Sequence, residues 1–183
     1  MTTQSSLTLE EQRVEFSRSR FLAMPLAGTI AWAVIGIAGA FVPVGLAAWI
    51  LFIATGMIFA LGLFLARFLG EDLIGKSRNN EFDQLFFQSV LMAWLVFAIA
   101  IPFFMTEPTS LPLSVGILAG LMWLPFSWII RHWVGQFHAF TRTFLVTIAW
   151  YVFPDQRFVI IPAIIVVIYL ITIYILITRK RPN

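Results

Sequence analysis

Two basic side chains, Arg142 and His138, lie inside an apolar stretch of the chain and are the residues best placed to do chemistry. With Arg131 and Gly135 they follow a spacing of four, three and four residues, which puts all four on one face of a helix. If that helix enters a membrane near Val134, Arg142 lies about 12 Å inside it. Charge within a membrane is costly, so this face is the first candidate for a functional site.

The depth of Arg142 follows from the length of its segment. A span that began only at Thr143 would have eleven residues before Pro154. Those residues give about 16 Å of helix, whereas the apolar core of a bilayer is about 30 Å thick. The span must therefore include Arg142 well within its length.

Other polar residues fall at a similar depth in neighbouring apolar segments. Thr29, Gln88 and Ser89 each lie a few residues inside a predicted helix end. We therefore predict a polar pocket that opens to the cytoplasm, with Arg142 at its floor and His138 above it. The planar guanidinium of Arg142 suits an anionic group, and imidazole titrates near neutral pH.

A structural role for Arg142 is the alternative. Pro25 and Pro125 would each free a carbonyl four residues earlier, at Phe21 and Leu121. Together with Gln88 and Ser89 these carbonyls offer acceptors for the five donors of an arginine. In that case Arg142 only locks the helices together.

Metal and cofactor chemistry receive little support from the composition. The chain has no cysteine and two histidines, whereas catalytic zinc takes three protein ligands, so we predict no metal site and no cofactor. The third and least favoured interpretation is an enzyme that acts on lipid head groups with His138 as general base.

The elements that hold these residues are predicted to be membrane helices, because 60% of the residues are hydrophobic and 11% are charged. Soluble domains carry about 25% charged residues. Helices cross a bilayer with about 20 apolar residues. The fold class is therefore all-α, a polytopic membrane protein with six transmembrane helices: Phe21–Phe41, Val44–Arg67, Leu85–Met105, Leu111–Ile130, Val134–Phe153 and Phe158–Thr178.

The distribution of basic residues predicts the orientation. Every Lys and Arg except Arg157 falls on or near one side of the six spans, and Lys- and Arg-rich loops remain cytoplasmic. Both termini are thus expected in the cytoplasm, and the net charge of +3 reflects lipid contacts rather than nucleic-acid binding. The predicted division is a cytoplasmic segment (1–20), a bundle (21–178) and a basic tail (179–183). Thr8 and Glu11 have the spacing of a capping box, so the first segment is either a short helix or a plain solvated leader.

Small residues predict how the helices pack, because they let backbones approach closely in lipid. They concentrate in spans one, two and four, which we place centrally, while span six, rich in large aliphatic residues, is placed on the lipid-facing rim. The candidate packing positions are Ala27, Gly28, Gly36, Gly56, Gly116 and Gly120.

Three segments carry a resemblance to a family of small, uncharacterised, multi-pass integral membrane proteins of bacteria. They are Met24-Pro25-Leu26-Ala27-Gly28 with Trp32 and Gly36, the run from Gly56 to Gly62, and Leu124-Pro125-Phe126-Ser127-Trp128. The resemblance implies a bacterial inner membrane and transfers no activity.

The sequence therefore predicts a non-enzymatic membrane protein that binds or passes a small solute, with an anionic group favoured. Its expected partners are the lipid bilayer and that solute. The alternative is an accessory or oligomeric subunit that uses the small-residue face of span one to join a membrane partner or a second copy of itself.

Overall fold

A computed structural model describes residues 7–71 and 80–182, and all regular structure in those ranges is helical. The all-α prediction is confirmed. The α-helices are α1 Leu9–Ser17, α2 Ala23–Phe41, α3 Val44–Gly56, α4 Ile58–Leu69, α5 Glu81–Leu95, α6 Phe97–Thr106, α7 Leu111–Leu118, α8 Trp123–Ile129, α9 Val134–Val152 and α10 Arg157–Thr178. Short 3₁₀ segments cover Pro108–Ser110, Ala119–Met122 and Pro154–Gln156.

Four helical stretches are long and apolar enough to cross a membrane: Ala23–Phe41, Glu81–Thr106, Pro108–Ile129 and Pro154–Thr178. Helices α3 and α4 form a fifth if the pair, bent by 49°, is one span. Helix α9 has 19 residues, but its polar side chains keep it out of this set. The structure therefore supports a membrane protein with four or five apolar spans, and the sixth crossing stays a prediction.

The first helix begins with the predicted capping box. The Thr8 hydroxyl accepts a hydrogen bond from the Glu11 amide (3.3 Å), and the Glu11 carboxylate accepts one from the Thr8 amide (2.7 Å). Asn80 donates to the Gln12 carbonyl (2.9 Å), which attaches α1 to the start of α5. The long loop between α4 and α5 is otherwise outside the described residues.

Basic residues from distant parts of the chain meet at this same end of the protein. Arg131 pairs with Glu10 of α1 at 3.1 Å, and Arg179 donates to the carbonyls of Ser17 (3.0 Å) and Ser19 (2.6 Å). By contrast, Arg157 bonds to Thr109 and to the Trp150 carbonyl elsewhere in the fold. Two of the basic residues that the sequence assigns to one side, Arg131 and Arg179, therefore meet in the fold, and Arg157 lies apart from them.

Helix α10 lies in the core, so its predicted place on the lipid-facing rim is wrong. The stretch that contains it is 39% buried, against 17% for Glu81–Thr106. It packs along α2, where Gly28 and Gly36 let Tyr169 and Pro162 approach the backbone. Close packing needs small residues on only one of two helices, and α2 supplies them for both.

Two other local predictions are also corrected. Gly56 has open space where a side chain would begin, so it makes no packing contact. Pro25 lies in the first turn of α2, and Phe21 precedes that helix, so the carbonyl predicted to be freed at Phe21 is not inside a helix. Pro125 instead follows the 3₁₀ segment Ala119–Met122 within one helical stretch, Pro108–Ile129, so the carbonyl of Leu121 does lie inside a helix.

Three of the apolar stretches are interrupted partway along. The α3–α4 bend lies at Met57, the α5–α6 junction at Val96, and α7 passes into 3₁₀ helix at Ala119. Residues from all three interruptions, Ile58, Phe97 and Ala119 among them, line one cavity beside α9. Irregular backbone at membrane depth is tolerated where it faces protein or a cavity, and here it does.

Candidate functional site

The polar face of α9 is turned into the core. Arg142 is 1% exposed and His138 is fully buried. Gly135, on the same face, packs against the backbone and side chain of Ser127 in α8. Arg131, the fourth residue of the predicted face, lies in the turn before α9, so the structure brings three of the four together.

Arg142 is held by three partners from three helices. Its Nε donates to the Gly116 carbonyl (2.5 Å), and its Nη1 donates to the Tyr169 hydroxyl (3.3 Å) and lies 3.4 Å from His138 Nε2. Gly120 provides the room, because a methyl group there would lie 2.9 Å from the Arg142 Cδ. The guanidinium is therefore fixed in position by neutral groups.

The Gly116 carbonyl is available because the helix changes type beside it. The Ala119 amide donates four residues back, to Val115, whereas the Trp123 amide donates three residues back, to Gly120. Between these two hydrogen bonds, residues 116–119 provide four carbonyl acceptors, whereas residues 120–122 provide only three amide donors. One carbonyl must therefore lack a backbone donor, and we infer that it is the Gly116 carbonyl that Arg142 occupies.

The hydrogen bonds of His138 define its tautomer. The Thr172 hydroxyl donates to the Ile168 carbonyl (2.8 Å), so its oxygen is free to accept from His138 Nδ1 at 2.9 Å. The proton is therefore on Nδ1, and Nε2 presents a lone pair to Arg142. His138 is neutral in this arrangement, since a proton on Nε2 would set two donors against each other.

Aromatic rings enclose the two basic side chains. The Arg142 Cζ lies 5.3 Å from the centre of the Trp32 ring and 5.5 Å from that of Tyr169. Trp123 stacks on His138 with ring centres 4.3 Å apart. Rings within about 6 Å attract a cation through their negative faces, so they offset part of the cost of burying the charge.

The charge of Arg142 nevertheless has no negative partner among residues 7–71 and 80–182. Three of its five N–H donors are used by the partners above. No residue in the described part of the chain accepts a hydrogen bond from Nη2, and this nitrogen is not completely enclosed by protein atoms. Two donors on a buried cation are thus left for a group from outside.

These donors belong to a side chain that lines a cavity of about 80 Å³. Arg142, Trp32, Trp123 and Tyr169 form its buried end. Its other wall consists of half-exposed residues from the α3–α4 bend and the α5–α6 junction: Thr55, Ile58, Phe59, Val90, Ala93 and Phe97. The cavity is mostly apolar, in contrast to the polar pocket that the sequence predicts.

The predicted route to the basic end is filled by aromatic side chains. The rings of Phe21 and Phe16 lie 4.8 Å apart, those of Phe21 and Phe126 lie 5.1 Å apart, and Phe86 packs against Phe126 at 6.4 Å. All four residues are buried. We call this group the phenylalanine barrier, because it separates the cavity from the Arg179 end of the fold.

The other predicted site residues do not bond to Arg142. Thr29 donates to the Pro25 carbonyl (2.8 Å) and Ser89 donates to the Leu85 carbonyl (2.9 Å), each within its own helix. Gln88 is exposed. Their role in binding stays a prediction, and the structure gives Arg142 other protein partners.

Tyr169 and Thr172 are the site residues that sequence reasoning missed. They are three residues apart on α10 and hold Arg142 and His138 respectively. Two polar side chains on one face of a largely aliphatic helix could have indicated a polar contact in the core. The prediction that α10 lies on the lipid-facing rim excludes them from the site.

The described residues contain no arrangement that favours metal binding, and the surroundings of His138 do not favour its predicted role as a general base. No group of three His, Asp or Glu side chains that could hold a metal occurs in ranges 7–71 and 80–182. Both ring nitrogens of His138 face hydrogen-bond partners. The arrangement is suited instead to holding an anion at the free edge of the guanidinium.

Comparison with known proteins shows the family of the chain. A model of a family of unknown function (DUF7010) matches residues 9–179, and the chain belongs to this family. No curated protein and no solved structure matches significantly. The expectation of an uncharacterised family is confirmed, and the match carries no activity to transfer.

Proposed function

We propose that this family member is a membrane protein that binds a small anionic solute at Arg142. The observation that carries the proposal is a cation, 1% exposed, with two unused donors and no carboxylate beside it in the described residues. Isolated buried charge is costly, and natural proteins pair it. A solute anion would supply the missing negative charge.

The energetic gain from an anion is comparable with that from the two aromatic rings, Trp32 and Tyr169, taken together. Cation–π contacts contribute roughly 2 kcal/mol when desolvated. An opposite charge at about 4 Å contributes roughly 4 kcal/mol at an effective dielectric constant near 20. An anion would thus add to the stabilisation by the neutral neighbours, which position Arg142 without neutralising its charge.

His138 is proposed to orient the guanidinium. Its Nε2 lone pair accepts from Nη1, and the two N–H groups of Nη2 have no partner among the described residues. Protonation of Nε2 would replace an acceptor by a donor and by a second positive charge. The neutral imidazole is thus the form that supports binding.

The proposed topology has six crossings with both termini in the cytoplasm of a bacterial cell. A helix of 19 residues extends about 28 Å, so α9 is long enough to cross once its polar face is buried by its neighbours. Counting α3–α4 as one bent span then gives six. The basic cluster around Arg131 and Arg179 supports a cytoplasmic location for that end.

Passage of the anion is the second candidate. Three helical stretches break beside the cavity, and interrupted helices commonly form the solute sites of transporters. The accessory-subunit alternative loses its predicted docking surface, because Ala27 and Gly28 are buried within the chain and α10 packs on that face.

The test is anion binding by purified protein, followed through tryptophan fluorescence, since Trp32 and Trp123 line the cavity. Acetate is the probe anion. Arg142→Gln should weaken binding at least tenfold, and Arg142→Lys should weaken it less because the charge remains. Arg157→Gln is the matched control, because Arg157 lies outside the cavity.

Melting temperatures of all three variants show whether each is folded. A folded Arg142→Gln protein that binds the anion as tightly as the wild type would refute the proposed function. If Arg142→Gln does not fold, Arg142→Lys decides the question, since a charge without the planar fork should still lose affinity.

A further inference from the structure

We propose that the ligand is an amphiphile, a monocarboxylate with an apolar chain, which enters the cavity from the side that faces lipid. This inference rests on the proposed function and names its ligand class. It depends on three features of the structure: the lining of the cavity, the position of its open wall, and the closed aqueous route.

The lining pairs a single charge with apolar walls. Arg142 is the only charged residue that lines the cavity within the described part of the chain. The Thr55 hydroxyl, at the opposite wall, already donates to the Leu51 carbonyl (2.6 Å). A fully polar solute would leave most of its groups without partners there, whereas an apolar chain would not.

The wall opposite Arg142 lies at the lipid-facing surface. Lining residue Trp94 is 55% exposed, and its neighbours Met92 and Leu95 are also largely exposed. Across the cavity, Ile53 and Met57 expose apolar side chains beside the α3–α4 bend. A surface of this composition is in contact with lipid tails, so the opening between α3–α4 and α5–α6 admits molecules dissolved in the bilayer.

The route from the basic end is closed by the phenylalanine barrier. A second cavity of about 30 Å³ lies between that barrier and the first, and it is lined by Met24, Met122 and Trp123 as well as by barrier residues. It has almost no polar lining. A hydrated anion that took this path would lose its water before it reached Arg142, whereas a molecule from the bilayer carries little water.

The charge balance at the site indicates a head group with one charge. One oxygen of a carboxylate accepts from one N–H group of Nη2, and its single negative charge then balances that of Arg142. A phosphate would bring a second charge that no described residue at the site compensates. The volume of about 80 Å³ accommodates the carboxylate and its first carbons, and the remaining chain would extend through the opening between α3–α4 and α5–α6.

A weak acid also suits entry through lipid. A carboxylic acid with a pKa near 4.5 is neutral in roughly one molecule in 300 at pH 7. The neutral form enters hydrocarbon at far lower cost than the anion. At equilibrium the bound species is the carboxylate, and its proton is in the bulk water.

The experiment compares ligands that share a head group and differ in chain length. Wild-type protein in nanodiscs of phosphatidylcholine is titrated at pH 7 with acetate, octanoate and laurate, with tryptophan fluorescence as the signal. Dodecanol has the chain of laurate without its charge. We expect laurate to bind at least tenfold more tightly than acetate, and dodecanol to bind weakly.

Substitutions in the lipid-facing wall of the cavity test where the ligand enters. Ala93→Phe fills the lipid-facing wall and should weaken laurate binding at least fivefold; Ala93→Leu, a smaller change, covers the case in which the larger variant does not fold. Ala98→Phe is the matched control, because Ala98 is exposed on α6 and does not line the cavity. It should leave the affinity unchanged.

The outcomes separate the two proposals. Equal Arg142-dependent affinities for acetate and laurate, unaffected by Ala93→Phe, would overturn the amphiphile and leave the anion site intact. If laurate and dodecanol bind with equal affinity, and Arg142→Gln changes neither affinity, the site is an apolar cavity only and the amphiphile inference is overturned. Absence of Arg142-dependent binding for every probe would overturn the proposed function as well.

Discussion

Replacement of Gly28 by alanine should disturb the Arg142 site from the opposite side of the core. Gly28 is on α2, and its backbone faces the ring of Tyr169 on α10. An added Cβ would lie 2.6 Å from the Tyr169 hydroxyl oxygen and 2.9 Å from Cε1. The substitution thus places one methyl group in space that the phenol already fills.

The expected magnitude follows from these distances. Non-bonded carbon atoms rest about 3.5–4.0 Å apart, so the ring must retreat by about 1 Å. The Arg142 Nη1 to Tyr169 hydroxyl distance is already 3.3 Å, and this bond would be lost. Overpacking of a core costs about 1–3 kcal/mol, which for a chain of this size lowers the melting temperature by roughly 2–12 °C.

The assay is thermal unfolding in detergent together with anion binding. Gly45→Ala is the matched control, since the position of its Cβ has no atom within 4 Å apart from its chain neighbours and the backbone of its own helix, and alanine favours the helix. Tyr169→Leu removes the clash, so Gly28→Ala should cost clearly less in that background than in the wild type. A Gly28→Ala protein as stable as Gly45→Ala, or an equal cost in both backgrounds, would refute the reasoning.

Two further predictions concern the turn before α9. Arg131 has a φ angle of 47° at the end of α8, where the amides of residues 131 and 132 close a turn that usually contains glycine. Arg131→Gly should therefore be about 1 kcal/mol more stable than Arg131→Ala in thermal unfolding. The reverse order of stability would contradict this assignment of the turn. His132 Nδ1 accepts from the Val134 amide (3.2 Å), and burial, followed by the positive charge of Arg179, lowers the pKa of His132. The unfolded chain then takes up the proton first as the pH falls below about 6.5, so stability should decline from pH 7 to pH 5. His132→Asn should flatten this part of the melting-temperature profile, and an unchanged slope would assign the dependence to another group.

Much of the local structure could be predicted from short-range rules. The capping box at Thr8 and Glu11 forms, and the helical periodicity of His138 and Arg142 correctly places them on one face. The burial of Arg142 followed from the length of its segment. These features depend on a single helix and its ends, which is why sequence was sufficient for them.

The partners of Arg142 could not be predicted in this way. The nearest polar residues by depth, Ser89 and Thr29, bond within their own helices. The acceptor that Arg142 finds is the Gly116 carbonyl, which is available because α7 changes to 3₁₀ helix. Such a change is a response of the backbone to its neighbours and leaves no mark in hydropathy or spacing.

The sequence by itself determined that the chain is helical and apolar, that its basic residues are segregated, and that one cation is buried. Tertiary structure decided which helices meet around that cation. It placed Tyr169 of α10 beside Arg142, lined the cavity mostly with apolar residues rather than polar ones, and opened it beside two interrupted spans. The physical reason is that composition and periodicity act along one helix, whereas the fit of Tyr169 against Gly28 depends on two helices whose relative position only the folded chain defines.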